Sequence, residues 1–140
     1  MAKQSIAGFS SRSKTVRMKT WKPSISVVYP MFNEEENIER AVRFAEDALA
    51  EMTSDYEILI VNDASTDRSA EVAEALASAN PCVKVFHHER NLKLGGALRT
   101  GFSKATTELV FYCDSDLPVA KVTLIHERDT VIGVIGGLRS

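Results

Sequence analysis

The chain is poor in the residues that staple extracellular domains or cross membranes. It has two cysteines in 140 residues, Cys82 and Cys113, with no Cys-x-x-Cys pair and no histidine at ligand spacing. That excludes a disulfide framework and a structural zinc site, and both thiols read as structural in a reduced, cytosolic-type protein. No window approaches the roughly 18 apolar residues needed to span a bilayer. Glycine is scarce where one enzyme class needs it: the turn after the first apolar run, Pro30-Met31-Phe32-Asn33-Glu34, contains none. A dinucleotide-binding turn requires glycines there so that backbone can approach pyrophosphate, so hydride chemistry is disfavoured. Gly133, Gly136 and Gly137 come too late to serve. Only three residues follow Gly137, which leaves no helix N-terminus to hold a pyrophosphate.

Acidic residues are absent from the first 22 positions, which carry Lys3, Arg12, Lys14, Arg17, Lys19 and Lys22. The net charge of −2 therefore hides an asymmetry, because the rest of the chain holds 11 bases against 19 acids. Three readings fit this basic segment, which we bound at residues 1–23. It is a disordered, solvated tail, a weak tether to anionic lipid at roughly 1 kcal/mol per base near the surface, or an organelle transit peptide. The missing apolar h-region argues against a secretory signal.

What is present is an ordinary soluble balance, 44% hydrophobic and 26% charged, in a length that suits one domain. From residue 24 onward, β-branched runs alternate with amphipathic stretches. Strands are predicted at Ile25–Tyr29, Glu57–Val61, Val83–His87 and Leu109–Cys113. Between them, helices are predicted from Glu34 to about Met52, from about Asp67 to Ala79, and from Gly95 to about Thr106. In the first helix Ile38, Ala41, Val42, Ala45, Ala48 and Leu49 recur at helical spacing. Asn80-Pro81 stops the second. The order β-α-β-α-β-α-β with short connections predicts an α/β fold, a doubly wound and mainly parallel sheet over residues 24–118. The segment 119–140 is atypical, with Val122–Ile125 and Val131–Ile135 reading as a closing strand pair.

Three of the predicted strands deliver acidic or amide side chains at their carboxyl ends, the edge where open parallel sheets bind ligands. Asp114-Ser115-Asp116 follows the last run directly. Two carboxylates one residue apart make a hard oxygen site suited to Mg²⁺ or Mn²⁺, although such a pair also simply ends a strand. Asn33 is placed to cap the first helix, with Glu34 to Glu36 filling its dipole-favoured first turn. Ser65 or Thr66 is placed to cap the second helix, and Asp67 suits its dipole. Asp63 falls too early for that cap and is the functional candidate of its turn. Gly95 and Gly96 open the third helix between bases that suit a phosphate, or they serve close helix packing. His87-His88 lacks a paired His or Cys and reads as loop structure.

Taken together, Tyr29-Pro30-Met31-Phe32-Asn33-Glu34-Glu35, Val61-Asn62-Asp63-Ala64-Ser65-Thr66-Asp67, Asn91-Leu92-Lys93-Leu94-Gly95-Gly96-Ala97 and Asp114-Ser115-Asp116-Leu117-Pro118 resemble glycosyltransferase family 2. The resemblance covers about Ser24 to Pro118 and implies the nucleotide-binding half of a GT-A fold. The Asp-Ser-Asp-Leu-Pro ending is most similar to the polyprenyl-phosphate, or dolichol-phosphate, sugar transferase branch. The resemblance implies a donor such as a UDP- or GDP-sugar and a polyprenyl phosphate as candidate acceptor. No nucleic-acid partner is expected, and the cysteine usage and basic leader predict a cytoplasmic protein with weak peripheral membrane contact. By residue, the resemblance implies that Pro30, Phe32 and Glu34 line the nucleoside pocket, with Glu34 near ribose. Val61 and Asp63 would meet the base, and Arg99 a phosphate. Asp114 would approach ribose or metal, Ser115 would line the substrate site, and Asp116 would be the catalytic metal ligand.

Members of that family continue well past the Asp-x-Asp, whereas 22 residues follow Pro118 here. The resemblance therefore implies a chain truncated after the motif, with its acceptor side missing or altered. Glu127 and Asp129 are the acids of that segment, and neither is assigned as a base. Two further readings stay open. One is a catalytically incompetent nucleotide-sugar-binding module. The other is a nucleotidyltransferase, which usually carries a Gly-rich, Lys-containing loop that this chain lacks after its first strand.

Overall fold

The computed structural model describes residues 22–116, 121–127 and 130–136. Most of the leader and the residues around Pro118, Asp129 and Gly137 lie outside them. Each β-branched run becomes a strand: β1 (Ile25–Met31), β2 (Tyr56–Asn62), β3 (Val83–His87) and β4 (Leu109–Tyr112). They form one parallel sheet in the order β3-β2-β1-β4. The chain therefore steps outward through three strands and then returns to the other side of β1. That reversal is a topological switch point, where the carboxyl ends of adjacent strands leave a crevice. A second sheet pairs β5 (Lys121–Glu127) with β6 (Thr130–Gly136) in antiparallel register, so the expected closing strand pair is present.

The helices are α1 (Ile38–Met52), α2 (Ser69–Ala79) and α3 (Lys93–Lys104). Strand alternation sorts them onto opposite faces of the four-stranded sheet. Ile25, Val27, Tyr29 and Met31 of β1 join Ile58 and Ile60 of β2 beneath Ile38, Val42, Leu49 and Leu76 of α1 and α2. Val28, Leu59 and Val61 point the other way and meet Ala97 of α3. With both faces covered, the central strands are apolar almost throughout, as a buried parallel sheet requires.

The predicted first helix begins four residues late, at Ile38 instead of Glu34, because the chain first makes a turn over residues 35–37. Asn33 does not cap that helix. Its side chain is committed to a neighbouring loop, as described below. The second helix also starts later than predicted, at Ser69, and makes no side-chain hydrogen bond at its cap residue. Its C-terminus at Asn80 agrees with the sequence expectation.

The glycines of α3 divide into two kinds. A Cβ on Gly101 would overlap Cγ1 of fully buried Val28, so glycine there lets α3 lie directly on β1. A Cβ on Gly95 would meet nothing within 4 Å. Gly101→Ala should therefore destabilise the fold by about 1–3 kcal/mol through overpacking. Gly95→Ala should instead stabilise it by about 0.5–1 kcal/mol, because alanine loses less backbone entropy in a helix. Urea unfolding of the two variants checks this opposition of sign.

Candidate functional site

The loops leaving β1, β2 and β4 and the start of α3 enclose a cleft of about 320 Å³ at the carboxyl edge of the sheet. Its first wall is Pro30, Met31, Phe32 and Glu34, from the exit of β1. This turn is held by cross-loop hydrogen bonds, not by helix capping. The Asn33 amide donates to Ser65 Oγ (3.0 Å), and its side-chain Oδ1 accepts from the Thr66 amide (2.8 Å). The Glu34 amide donates to Ser69 Oγ (2.7 Å), and Glu35 Oε1 accepts from the Arg68 amide (2.7 Å). The residues read as helix caps thus lace two sheet-edge loops together. Asp67 belongs to this lacing. Partial burial opposes its ionisation, but hydrogen bonds from the Ser69 hydroxyl and amide prevail and hold its carboxyl below the usual range. Glu34 keeps one oxygen engaged by Asn37 Nδ2 (2.9 Å) and is half-buried at the cleft wall.

Asp63 forms the floor, one residue beyond β2, and is only 4% exposed. Its Oδ1 accepts from the Leu92 amide (2.7 Å) and from His88 Nδ1 (2.7 Å). Its backbone carbonyl accepts from Asn91 Nδ2 (3.1 Å). One carboxylate therefore ties the loop after β3 to the end of β2. Asn91, Lys93, Leu94 and Ala97 make the opposite wall. Lys93 brings the cationic group of the cleft lining.

The exit of β4 supplies Asp114 to the lining. Cys113 just before it is buried, and burial, reinforced by the Asp114 carboxylate, pushes its thiol up to about 11. Such a thiol stays protonated at neutral pH, in keeping with the structural role expected for it. Buried Tyr29 beside it is likewise raised, mainly by burial, and its hydroxyl donates to the Ala41 carbonyl (3.1 Å). Asp114 and Asp116 are both exposed, and between them the buried Ser115 Oγ has no hydrogen-bond partner among the described residues. Among the described residues no three His, Cys, Asp or Glu side chains gather as a preformed metal cage. The two exposed carboxylates nonetheless suit a hard dication that takes its remaining ligands from phosphates and water, the usual manner of Mg²⁺.

The expected site residues divide clearly by position. Pro30, Phe32, Glu34, Asp63 and Asp114, drawn from three sequence segments, meet in the one cleft. Val61 is fully buried against α3, and Arg99 and Asp116 are exposed outside the lining. Met31, Asn91, Lys93, Leu94 and Ala97 also line it without having been singled out one by one, although all lie inside the quoted motifs. His88, read from the sequence as loop structure, does lie in the loop after β3, but its contact with Asp63 was not foreseen, since the sequence offers it no partner at short spacing. A wider groove of about 520 Å³ runs along α1, but its lining, Glu35 to Asp47, comes from that helix and the turn before it, with no converging elements.

Strain marks the same cleft. Among the described residues, the non-glycine residues with positive φ are Asn33 (55°), Ala64 (64°) and Lys93 (66°). Lys93 lines the cleft, and the other two adjoin its lining residues Phe32, Glu34 and Asp63. Backbone in this region is costly for a side-chain-bearing residue and concentrates at functional sites.

Comparison with known proteins agrees with this architecture. The family model described as "Glycosyl transferase family 2" matches residues 26–125. An undecaprenyl-phosphate 4-deoxy-4-formamido-L-arabinose transferase of Pseudomonas fluorescens is 33% identical over 120 residues, 82% of this chain. The chain spans 35% of that relative's length. A mannosyltransferase from Pyrobaculum calidifontis, solved with GDP-Man and Mn²⁺, superposes with a TM-score of 0.65 at 26% identity. That match covers 70% of this chain and 29% of the other. Staphylococcus aureus TarS 1-349, solved with UDP-GlcNAc, gives a TM-score of 0.56 at 25% identity over 72% of this chain and 27% of its own. The four-stranded parallel sheet with its helices is the nucleotide-binding architecture of the GT-A fold. On the family match and the shared fold, this chain belongs to glycosyl transferase family 2.

Proposed function

We propose that this chain forms the donor site of a glycosyltransferase that moves a sugar from a UDP- or GDP-sugar, with a polyprenyl phosphate as acceptor. The observation that carries the reading is the meeting of Pro30, Phe32, Glu34, Asp63 and Asp114 in one cleft at the switch point. Pro30 and Phe32 offer apolar surface to the nucleoside, Asp63 accepts from a base N–H, and Glu34 accepts from a ribose hydroxyl. Lys93 faces the diphosphate from the opposite wall. Asp114 and Asp116 hold Mg²⁺ or Mn²⁺, Asp116 being the catalytic ligand. When bound, the dication supplies Lewis-acid neutralisation of the charge that develops on the leaving nucleoside diphosphate.

A phosphate acceptor is already ionised at neutral pH and needs no strong general base, so in-line attack at the anomeric carbon requires positioning above all. No described helix is long and apolar enough to cross a membrane. The basic leader suits contact with the anionic surface where a polyprenyl phosphate resides.

Calorimetry with UDP and GDP, each with and without Mn²⁺, tests the donor site. Binding of one nucleotide, strengthened by Mn²⁺, is the expected result, and failure of both to bind defeats the reading. Binding without transfer to polyprenyl phosphate would favour a donor-binding module that does not turn over.

A further inference from the structure

A nucleoside-binding carboxylate has two oxygens, and how the protein occupies them decides which one a ligand meets. In Asp63, Oδ1 receives two short hydrogen bonds, from the Leu92 amide and from His88 Nδ1, each 2.7 Å. No hydrogen bond reaches Oδ2 among the described residues, although Asp63 lines the cleft. The His88 side chain is itself 9% exposed, so water does not substitute for it easily. Its other nitrogen, Nε2, lies 2.8 Å from Thr100 Oγ1 within α3. A carboxylate only accepts, so Nδ1 must carry a proton, and in the neutral ring Nε2 accepts from the Thr100 hydroxyl. This pattern resolves the tautomer and the ring orientation together.

The order carboxylate, imidazole, hydroxyl is also that of a nucleophilic triad. Thr100, however, lies outside the cleft lining, so the hydroxyl at the end of this chain does not face a ligand there. The hydrogen bonds run from the Thr100 hydroxyl through His88 to Asp63, and here the carboxylate, not the hydroxyl, is the end that faces the cleft. Thr100 orients His88, and His88 orients Asp63.

We propose that His88 is a positioning residue of the nucleoside site: by occupying Oδ1 of Asp63, it presents Oδ2 as the sole acceptor for a base N–H. The inference rests on the reading of Asp63 as the acceptor of the base. It extends that reading to a residue that contacts no ligand, and it assigns a role to the Thr100 hydroxyl as well. A base without a donor at the matching position gains nothing from the arrangement, so His88 contributes to discrimination between nucleotides and little to diphosphate binding.

The test uses the full chain, calorimetry with Mn²⁺, and three probes: UDP, GDP and inorganic pyrophosphate. His88→Ala should weaken the preferred nucleoside diphosphate by roughly tenfold or more, the effect of losing one charge-assisted hydrogen bond. Pyrophosphate affinity should stay within about twofold, since it makes no call on the base acceptor. His88→Asn places an amide N–H near the lost Nδ1–H and should restore nucleotide binding. His88→Gln fills the space but reaches toward Thr100 and should not. If His88→Ala fails to fold, the Asn and Gln variants decide between them.

Equal nucleotide binding by Asn and Gln, or by Ala and wild type, overturns the inference. A parallel loss of nucleotide and pyrophosphate also overturns it, because His88 would then hold up the whole cleft. If the wild type binds neither nucleotide, the donor-site reading falls first and this inference falls with it.

Discussion

Glu57→Ala should cost about 3 kcal/mol of stability, one of the largest single-residue effects expected outside the apolar core. Glu57 sits on β2 at the amino-terminal edge of the sheet, remote from the cleft, and is 5% exposed. Its Oε2 accepts from Ser26 Oγ (2.6 Å) and the Thr106 amide (2.8 Å), and its Oε1 accepts from Lys84 Nζ (3.0 Å). One carboxylate therefore joins β1, β2, β3 and the segment that leads into β4. Truncation leaves the Thr106 amide without its partner, at the cost of its desolvation, and reduces the Ser26 hydroxyl to its contact with Thr107 Oγ1 (2.6 Å). Lys84 is half-exposed and recovers water, so its share of the loss is small.

The same residue sets a pH dependence. Burial alone would raise the Glu57 pKa, but hydrogen bonds from Ser26, the Thr106 amide and Lys84 outweigh it and hold the carboxyl below the ordinary glutamate range. The unfolded chain consequently binds more protons than the folded one as pH falls through that range. Stability from Glu57 is thus complete above the ordinary glutamate range and drains away as pH drops below it toward the lowered folded value. Urea midpoints across the acidic range should fall for the wild type and show a flatter contribution in Glu57→Gln. An unchanged slope would show that other carboxylates carry the acid sensitivity.

Asp114→Asn should change the sign of its effect with the metal. With Mn²⁺ present, losing a metal carboxylate should weaken UDP or GDP binding by roughly tenfold or more. Without metal, the wild type sets a negative Asp114 beside a polyanionic diphosphate, so the neutral amide should bind as well or better. Asp116→Asn should follow the same pattern if it shares the ion. Calorimetry of each variant in Mn²⁺ and in EDTA reads both arms. A loss of equal size in the two conditions would mean that Asp114 contacts the nucleotide itself and not an ion.

Much of the architecture was legible in the chain, and the reason is periodicity. Buried parallel strands are short β-branched runs, and this chain separates four of them by amphipathic stretches, the second ended by Asn80-Pro81. Strand and helix identity followed, as did the parallel sheet. The residues expected at the β1, β2 and β4 exits largely met in one cleft, because every strand of a parallel sheet delivers its carboxyl end to the same edge. Boundaries were less legible. Glu34 to Glu36 look like a helical first turn by composition, yet the amides of Glu34 and Glu35 and the Glu35 carboxylate answer to Ser69, Asp67 and Arg68 across the gap between loops.

By itself, the sequence determined the fold class, the family resemblance and the edge of the sheet where polar groups collect. These depend on local pattern, which the chain carries in its own order. Only the tertiary structure decided how those polar groups are used. Asn33, 32 residues from Ser65, became a clasp between loops instead of a helix cap, and His88, 25 residues from Asp63, became the partner of a buried carboxylate. Val61 entered the core while Lys93 reached the cleft. Each of these outcomes is a hydrogen bond or burial between segments distant in sequence. Such choices depend on which loops the sheet order brings together, and no local propensity encodes that.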